Sequence, residues 1–281
     1  MVDLSRPVIM GVINVTPDSF SDGGQLYDGH TLAMSRILRR AERMCVEGAI
    51  FLDVGGESTR PGAEPVSEQE ELDRVMPVVE ALLERFEAVV SVDTSTPSLM
   101  TAAAKAGAGL INDVRALRRE GAMQAAAQTG AAVCVMHMSA EPGVMQQSPR
   151  YDDVNADVRG FLIDMANECE AAGISRDRIM IDPGYGFGKT LDHNLQLFNG
   201  LPALCALGYP LLVGVSRKSM IGAITGREPR KRVAGGLALA TIAAQSGANV
   251  IRTHDVAATR DALLIVDALR ACKQPEQESP S

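Results

Sequence analysis

The chain has 281 residues, of which 46% are hydrophobic and 22% are charged, and it is long enough to bury a sizeable core. Its formal net charge is −8, and only 4% of its residues are aromatic, with no Trp. The acidic balance and the absence of basic runs argue against nucleic acid as a partner, and the scarcity of aromatic rings argues against a stacking surface for single strands. Any anion that the protein binds must therefore be held by a local cluster of donors.

Cysteine usage and the N-terminal region bear on the compartment. The five cysteines are widely spaced and form no C-x-x-C motif, so neither a disulfide framework nor a zinc site is indicated. The apolar run 8–13 is too short for a membrane span and lacks a small-residue cleavage site. We therefore expect a cytoplasmic protein with reduced thiols and no membrane association.

One sequence pattern repeats along the chain: a short apolar run is followed by a polar or glycine-containing loop and then by a helical stretch. The apolar runs predict strands over Val8–Asn14, Ile50–Gly55, Val89–Asp93, Leu110–Val114, Ala132–His137, Ile179–Asp182, Pro210–Val215 and Val250–Thr253. Helical periodicity between them is clearest over Leu32–Cys45, Glu68–Arg85 and Leu237–Gln245. Ser67 and Glu70 have the spacing of a capping box, and Pro97 suits a first helical turn.

Continuously apolar strands that alternate with helices predict a parallel sheet covered on both faces. A closed barrel and an open doubly wound sheet both fit this pattern. Eight strand–helix units in about 270 residues match the size of a barrel, and the absence of Gly-x-Gly-x-x-Gly after the first strand weakens the dinucleotide-binding alternative. We predict an α/β protein: a single-domain (β/α)8 TIM barrel over residues 1–273 and a polar, disordered tail over residues 274–281.

In such a barrel the active site forms where the strands end, and the first two loops there are rich in small residues. The loop 14–24 is long and ends in Gly23-Gly24, so it can close over a ligand. Its composition alone fits an ordinary turn better. The loop 55–62 has two adjacent glycines and Arg60, which can bind an anion or simply lie on a solvated surface.

Acid and amide side chains end three further strands, at Asp93, Asn112 and Asp182. Each alone could cap a loop, but at equivalent strand ends they would converge on one pocket. Carboxylates there could each accept from two donors of a heterocycle rich in N–H and C=O groups. His137, which ends the fifth strand, is more typical of a packed histidine than of a ligand.

The loops after the last two strands are basic, with Ser216–Ser219 in one and Arg252 and His254 in the other. These are the positions where barrels commonly hold phosphate, and a helix N-terminus follows. They predict an anion site in an otherwise acidic protein. An Mg²⁺ ion could bridge a diphosphate to few protein ligands and keep its waters.

Several of these loops closely resemble the signatures of the dihydropteroate synthase family. The similar segments are Met10–Gly24, Gly55–Gly62, Ser91–Thr94, Ile111–Asp113, Asp182–Lys189, Ser216–Ser219 and Arg252–Asp255. They occur in the family's order and spacing and cover nearly the whole chain. The resemblance implies a pterin-binding barrel that joins a dihydropterin pyrophosphate to p-aminobenzoate, with Mg²⁺ as cofactor and a homodimer as assembly.

The resemblance also implies roles for individual residues. The dihydropterin would be held by Asp93, Asn112, Asp182 and Lys218. The pyrophosphate would be held by Asn14, Thr59, Arg252 and His254, with Asn14 also on the metal. The p-aminobenzoate site would be shaped by Phe20, Asp22, Arg60, Pro61, Phe187, Lys218 and Ser219. Catalysis would depend on Asp22, Asp93, Asp182 and Lys218, through a pterin cation that forms when pyrophosphate leaves.

Three positions depart from the family pattern: Thr96 stands where Lys is frequent, Tyr185 where Phe is usual and Val215 where Met is common. These changes bear on substrate affinity rather than on the activity itself. Two alternatives remain, a pterin-dependent methyltransferase and a catalytically silent pterin-binding paralogue. The anion-site residues Arg252 and His254 argue against the first, and the retained loop residues argue against the second.

Overall fold

In a computed structural model of the protein, the described residues are 2–15, 34–57, 66–139 and 149–272, together with the backbone of 27–28 and 31–32. Parallel strands form a single eight-stranded sheet. Their bounds are β1 Val8–Asn14, β2 Ala49–Gly55, β3 Val89–Asp93, β4 Leu110–Asp113, β5 Ala132–Met136, β6 Ile179–Asp182, β7 Leu212–Val213 and β8 Val250–Thr253.

The strand order is β6-β5-β4-β3-β2-β1-β8-β7, and a parallel bridge from Ile181 to Leu211 brings the two edges together. The sheet is therefore a nearly closed barrel, and the predicted (β/α)8 fold is confirmed. Strand β7 is shorter than the predicted Pro210–Val215, because Leu211 pairs with β6 only through that bridge.

Helices follow the strands and cover the outside of the barrel. Their bounds are α1 Met34–Val46, α2 Glu68–Arg85, α3 Pro97–Ala106, α4 Ala122–Gln128, α5 Val154–Ala171, α6 Leu191–Asn199, α7 Leu201–Cys205, α8 Ser219–Thr225, α9 Val233–Ser246 and α10 Val256–Ala271. Within the described ranges no helix is both long and apolar enough to cross a membrane.

Local signals explain where two of these helices begin. Ser67 Oγ accepts a hydrogen bond from the Glu70 backbone N–H at 3.3 Å, so the predicted N-cap of α2 is present. The reciprocal half of the capping box is not formed, because the Glu70 carboxylate pairs with Arg74 instead. Pro97 occupies the first position of α3, as predicted. Helix α1 starts at Met34 rather than Leu32, because Leu32 belongs to a short strand that pairs with Tyr27–Asp28.

Side chains that point into the barrel form successive layers. The lower layer is apolar and takes one residue from each of seven strands: Met10, Phe51, Leu110, Cys134, Met180, Leu212 and Val250. Because side chains alternate along a strand, the next inward position lies two residues further on. On four of these strands that position is polar: Asp53, Asn112, Asp182 and Arg252. The fold thus closes the barrel below with an apolar plug and places a charged layer directly above it.

Candidate active site

Arg252 is the centre of the charged layer. Its Nε donates to Asp53 Oδ2 at 2.7 Å and its Nη2 donates to Asp93 Oδ2 at 2.9 Å. Asp53 is fully buried and also accepts from Ser91 Oγ at 2.6 Å and from Asn112 Nδ2 at 3.2 Å. Burial opposes the charge of Arg252, but the two carboxylates outweigh it and raise the pKa of Arg252 above its usual value.

Asp93 lies beside this guanidinium at the carboxyl end of β3. Burial, followed by the neighbouring charge of Asp53, raises the pKa of Asp93 to about 7, although Arg252 acts in the opposite direction. Asp93 pairs in register with Gly55 on one side and with Asn112 on the other. Gly55 has no side chain there, and a Cβ on it would lie 3.4 Å from the Asp93 Cβ. The Asp93 carboxyl group therefore lies between Gly55 and Asn112 at the carboxyl ends of the strands.

Asp182 supplies the second carboxylate at the mouth. Its Oδ1 accepts from the Gly184 backbone N–H at 2.7 Å, and only 7% of the residue is exposed. Burial raises the pKa of Asp182, while Lys218 and Arg252 lower it. Two acids and the amide of Asn112 thus share one electrostatic environment with two cations, which suits a flat heterocycle carrying both donors and acceptors.

Lys218 comes immediately before α8 and turns back toward Asp182. Its Nζ donates to the Tyr185 carbonyl oxygen and lies 4.2 Å from the centroid of the Phe187 ring. Burial lowers the pKa of Lys218 to about 8, and Asp182 acts against that shift. The ammonium is therefore held against an aromatic face at the edge of the acidic cluster.

The anion end of the rim is formed by His254 and Ser216. The His254 backbone N–H lies 3.2 Å from Ser216 Oγ, and the ring Nδ1 lies 3.1 Å from the same oxygen. Burial, then the charges of Arg252, Arg217 and Arg40, lower the pKa of His254 to about 3. A neutral imidazole in a positive field, directly before the N-terminus of α10, is a setting for a phosphate group.

The other predicted residues fall into two groups. Asn14 ends β1 and pairs in register with Gly55, beside Asp93, and Ser219 is the first residue of α8. The predicted residues Phe20, Asp22, Thr59, Arg60 and Pro61 lie outside the described residues, as does the tail 274–281. Among the part of the chain that the structure describes, no group of three His, Cys, Asp or Glu side chains could hold a metal ion.

The three departures from the family pattern lie in buried surroundings. Thr96 Oγ1 donates to Glu71 Oε2 at 2.5 Å and accepts from Arg119 Nη1 at 3.0 Å. Tyr185 is fully buried, with its hydroxyl 3.4 Å from the Leu197 carbonyl oxygen. Val215 is also buried. Thr96 therefore belongs to a buried hydrogen-bond network around Glu71 rather than to the pocket surface.

The fold and this rim define a pterin-binding barrel enzyme, because residues 10–254 match the model of the family described as pterin binding enzyme. A dihydropteroate synthase from Escherichia coli (strain K12) is 50% identical over 273 residues, which are 97% of this chain and 95% of that protein. The Yersinia pestis dihydropteroate synthase, solved with a sulfonamide drug complex, is 52% identical, covers 96% of this chain and 97% of its own, and superposes with a TM-score of 0.92.

The Xanthomonas albilineans enzyme, solved in complex with 7,8-dihydropteroate, is 45% identical, with a TM-score of 0.84 and coverage of 97% of this chain and 96% of its own. The chain therefore belongs to the dihydropteroate synthase family and is a transferase of folate biosynthesis. The resemblance drawn from the loops is confirmed, and these relatives give no support to the methyltransferase or silent-paralogue alternatives.

Proposed function

We propose that this chain condenses 6-hydroxymethyl-7,8-dihydropterin pyrophosphate with p-aminobenzoate to give 7,8-dihydropteroate and pyrophosphate. This proposal rests on one observation: an acid–amide cluster and a basic anion end lie side by side on the same rim. Arg252 joins them, because it is hydrogen-bonded to Asp53 and Asp93 and lies two residues before His254. One substrate with a flat heterocycle at one end and a diphosphate at the other matches both ends of that rim.

The pterin ring would lie over the charged layer. Asp93, Asp182 and Asn112 would pair with its ring donors and acceptors, and the Lys218 ammonium would donate to its carbonyl oxygen. In this pose Asp93 is required as an anion, because only the ionised carboxylate accepts at both oxygens. Asp53 holds Arg252 in place.

The diphosphate would be held by Arg252, His254 and Asn14, with Thr59 from the second loop. The amide oxygen of Asn14 is the kind of hard ligand that Mg²⁺ prefers, and Mg²⁺ usually keeps waters and substrate phosphates as its remaining ligands. The lack of a larger carboxylate cluster among the described residues fits a metal that arrives with the substrate. When bound, Mg²⁺ would neutralise charge on the diphosphate.

The second substrate would lie above the pterin. Phe187 and Lys218 present a ring face and a cation at 4.2 Å from each other, and Ser219 starts α8 beside them. Together with Phe20, Arg60 and Pro61 they would contact the ring and carboxylate of p-aminobenzoate. Sulfonamides, which share its aromatic amine, would occupy the same place, and a relative from Yersinia pestis has been solved with such a drug.

The chemistry needs charge stabilisation rather than a protein nucleophile. The bond between the methylene carbon and the diphosphate oxygen breaks, the electron pair leaves with pyrophosphate, and a pterin cation remains. The amine nitrogen of p-aminobenzoate then bonds to that carbon and loses a proton. Asp182 and Asp93 would stabilise the cation, Arg252 and His254 the leaving group, and Asp22 with the first loops would exclude water.

We also propose a homodimer through the faces of α9 and α10. Helix α9 is mostly apolar, yet only Ala240, Ala243 and Ala244 are buried in it, whereas a helix of that composition is ordinarily covered. Ile242 is 48% exposed, and Ile265 on α10 is 61% exposed. Sedimentation of Ile265→Glu should show monomers, and Val46→Glu on α1 should sediment like the wild type. A wild-type monomer would overturn this assembly.

The activity is tested by mixing the protein with the pterin pyrophosphate, Mg²⁺ and p-aminobenzoate, and measuring pyrophosphate and dihydropteroate together. Lys218→Ala and Arg252→Ala should each lose about 100-fold or more in kcat/KM. Arg39→Ala removes an exposed arginine on α1 and serves as the matched control. Pterin binding without product would sink the synthase proposal and leave a methyl-transfer or silent binding role.

A further inference from the structure

A groove of about 510 Å³ opens beside His254, on the outer side of the rim. Its walls are the C-terminal half of α1, the segment before α9 and the first turn of α10. Asp93, Asn112, Asp182 and Lys218 do not line it, so it extends from the anion end away from the pterin end. Among the described residues assigned to the diphosphate, His254 alone lines the groove, so the groove reaches the anion end at that residue.

The groove carries more positive than negative charge. Arg40, Arg43, Arg217 and Arg230 line it, against the carboxylates of Glu47 and Asp255. Arg217 is bound to Asp255 at 2.7 Å, while Arg43 is 75% exposed and lies 3.9 Å from Glu47. The field reaches the rim, because Arg40 contributes to lowering the pKa of His254.

This local charge matters because the chain as a whole has a net charge of −8. The net charge of such a protein repels a diphosphate, and a basic groove offers it an attractive approach. Arg43 and Arg230 are exposed and Arg40 is half-buried, so their long side chains present guanidinium groups to a diphosphate as it moves inward.

We propose that the groove is an outer binding site for the diphosphate end of the pterin substrate and the exit path for released pyrophosphate. The proposal rests on the proposed function and adds residues to it: Arg40, Arg43 and Arg230 act on arrival and departure, and Arg252 and His254 act on the bound group. Electrostatic capture raises kcat/KM and weakens with salt, while the chemical step is untouched.

The test compares variants that change charge inside the groove with one that removes a charge outside it. Arg40→Gln combined with Arg43→Gln should lower kcat/KM for the pterin pyrophosphate about 10-fold at low ionic strength, with kcat and the KM for p-aminobenzoate unchanged. The loss should shrink at high salt. Arg39→Gln removes a neighbouring exposed charge outside the groove and should have a smaller effect. Glu47→Gln adds net positive charge to the groove and should raise kcat/KM.

Calorimetric titration with inorganic pyrophosphate and Mg²⁺ separates this proposal from the proposed function, because it needs no turnover. Affinity should fall in the double variant and in Arg230→Gln, and stay at the wild-type value in Arg39→Gln. If the double variant matches Arg39→Gln in both assays, or if its loss persists undiminished at high salt, the groove has no capture role. Absence of dihydropteroate with retained groove-dependent pyrophosphate binding would instead overturn the activity alone.

Discussion

Lys189 Nζ lies 2.9 Å from His137 Nδ1, and both side chains are buried. The same Nζ donates to the carbonyl oxygens of Gly184 at 2.9 Å and Phe187 at 3.1 Å. Burial lowers the pKa of Lys189 to about 7, so below that pH Lys189 is an ammonium with only donors, and a neutral His137 accepts through Nδ1. The pair joins the end of β5 to the loop after β6, which follows Asp182 and carries Tyr185 and Phe187, the residues that contact Lys218.

Acidic pH should weaken the contact between Lys189 and His137. Burial, then the charge of Lys189, lowers the pKa of His137 from 6.5 to about 3. The unfolded chain therefore binds more protons than the folded protein between these values, and stability falls as pH drops from about 6.5 toward 3. His137→Asn keeps an acceptor near Nδ1 but cannot be protonated. Urea unfolding from pH 7 to pH 4 should show a flatter pH dependence for this variant, and parallel curves would contradict the assignment.

Gly184 should tolerate no side chain. Its φ is +67°, and a Cβ there would lie 2.0 Å from the His137 carbonyl oxygen. Gly184→Ala should therefore lower the free energy of unfolding by more than the roughly 1 kcal/mol of backbone strain alone and impair pterin binding. Gly173→Ala is the control, because its φ is +95° and nothing lies within 4 Å of the added Cβ. Equal losses in the two variants would show that the clash is relieved cheaply.

Asp53→Asn should change the acid side of the activity profile. Asp53 is one of the groups that raise the pKa of Asp93, so removing its charge lowers that pKa. If ionised Asp93 binds the pterin, the acid limb of kcat/KM should move to lower pH. Asp53→Asn also removes one partner of Arg252, which should reduce the maximal value about 10-fold, since hydrogen bonds to charged groups contribute about 1.5–3 kcal/mol. An acid limb that stays in place would exclude Asp93 as the titrating group.

Lys218→Arg should change the alkaline side. Burial lowers the pKa of Lys218 to about 8, so the charged form is lost as pH rises through that value and activity should fall with it. Arginine stays protonated, so the alkaline limb of Lys218→Arg should shift to higher pH. Its planar fork does not reproduce the ammonium contacts with Tyr185 and Phe187, and maximal activity should drop about 10-fold or more. An unchanged alkaline limb would assign it to another group.

Most of the fold could be predicted from the sequence because parallel barrel strands are apolar on both faces and stand out from their surroundings. The ends of the strands could be predicted equally well, since Asp93 and Asp182 interrupt such apolar runs. Strand β7 was predicted too long, because its pairing depends on how the sheet closes rather than on local composition. The roles of the residues in the first two loops remain predictions, as they lie outside the described residues.

Asp53 was missed as a part of the site. It stands inside the apolar run of β2, where an acid requires a partner, and it lies two residues after Phe51 on the inward face. The alternation of inward and outward side chains along β2 indicates that Asp53 points into the barrel, where it requires a positively charged partner. The Arg252 bridge between Asp53 and Asp93 could not be predicted, because it joins residues that are 199 and 159 positions apart.

An apolar layer closes the barrel below the charged residues. It consists of Met10, Phe51, Leu110, Cys134, Met180, Leu212 and Val250. Among the described residues, the pocket is therefore closed at the bottom of the barrel and opens toward the carboxyl ends of the strands. A ligand at the bottom of the pocket would have to bind first and dissociate last, so the closed barrel would set the order of binding and release. In the proposed binding mode, p-aminobenzoate would lie over the pterin, and the occupancy of each position would depend on the other.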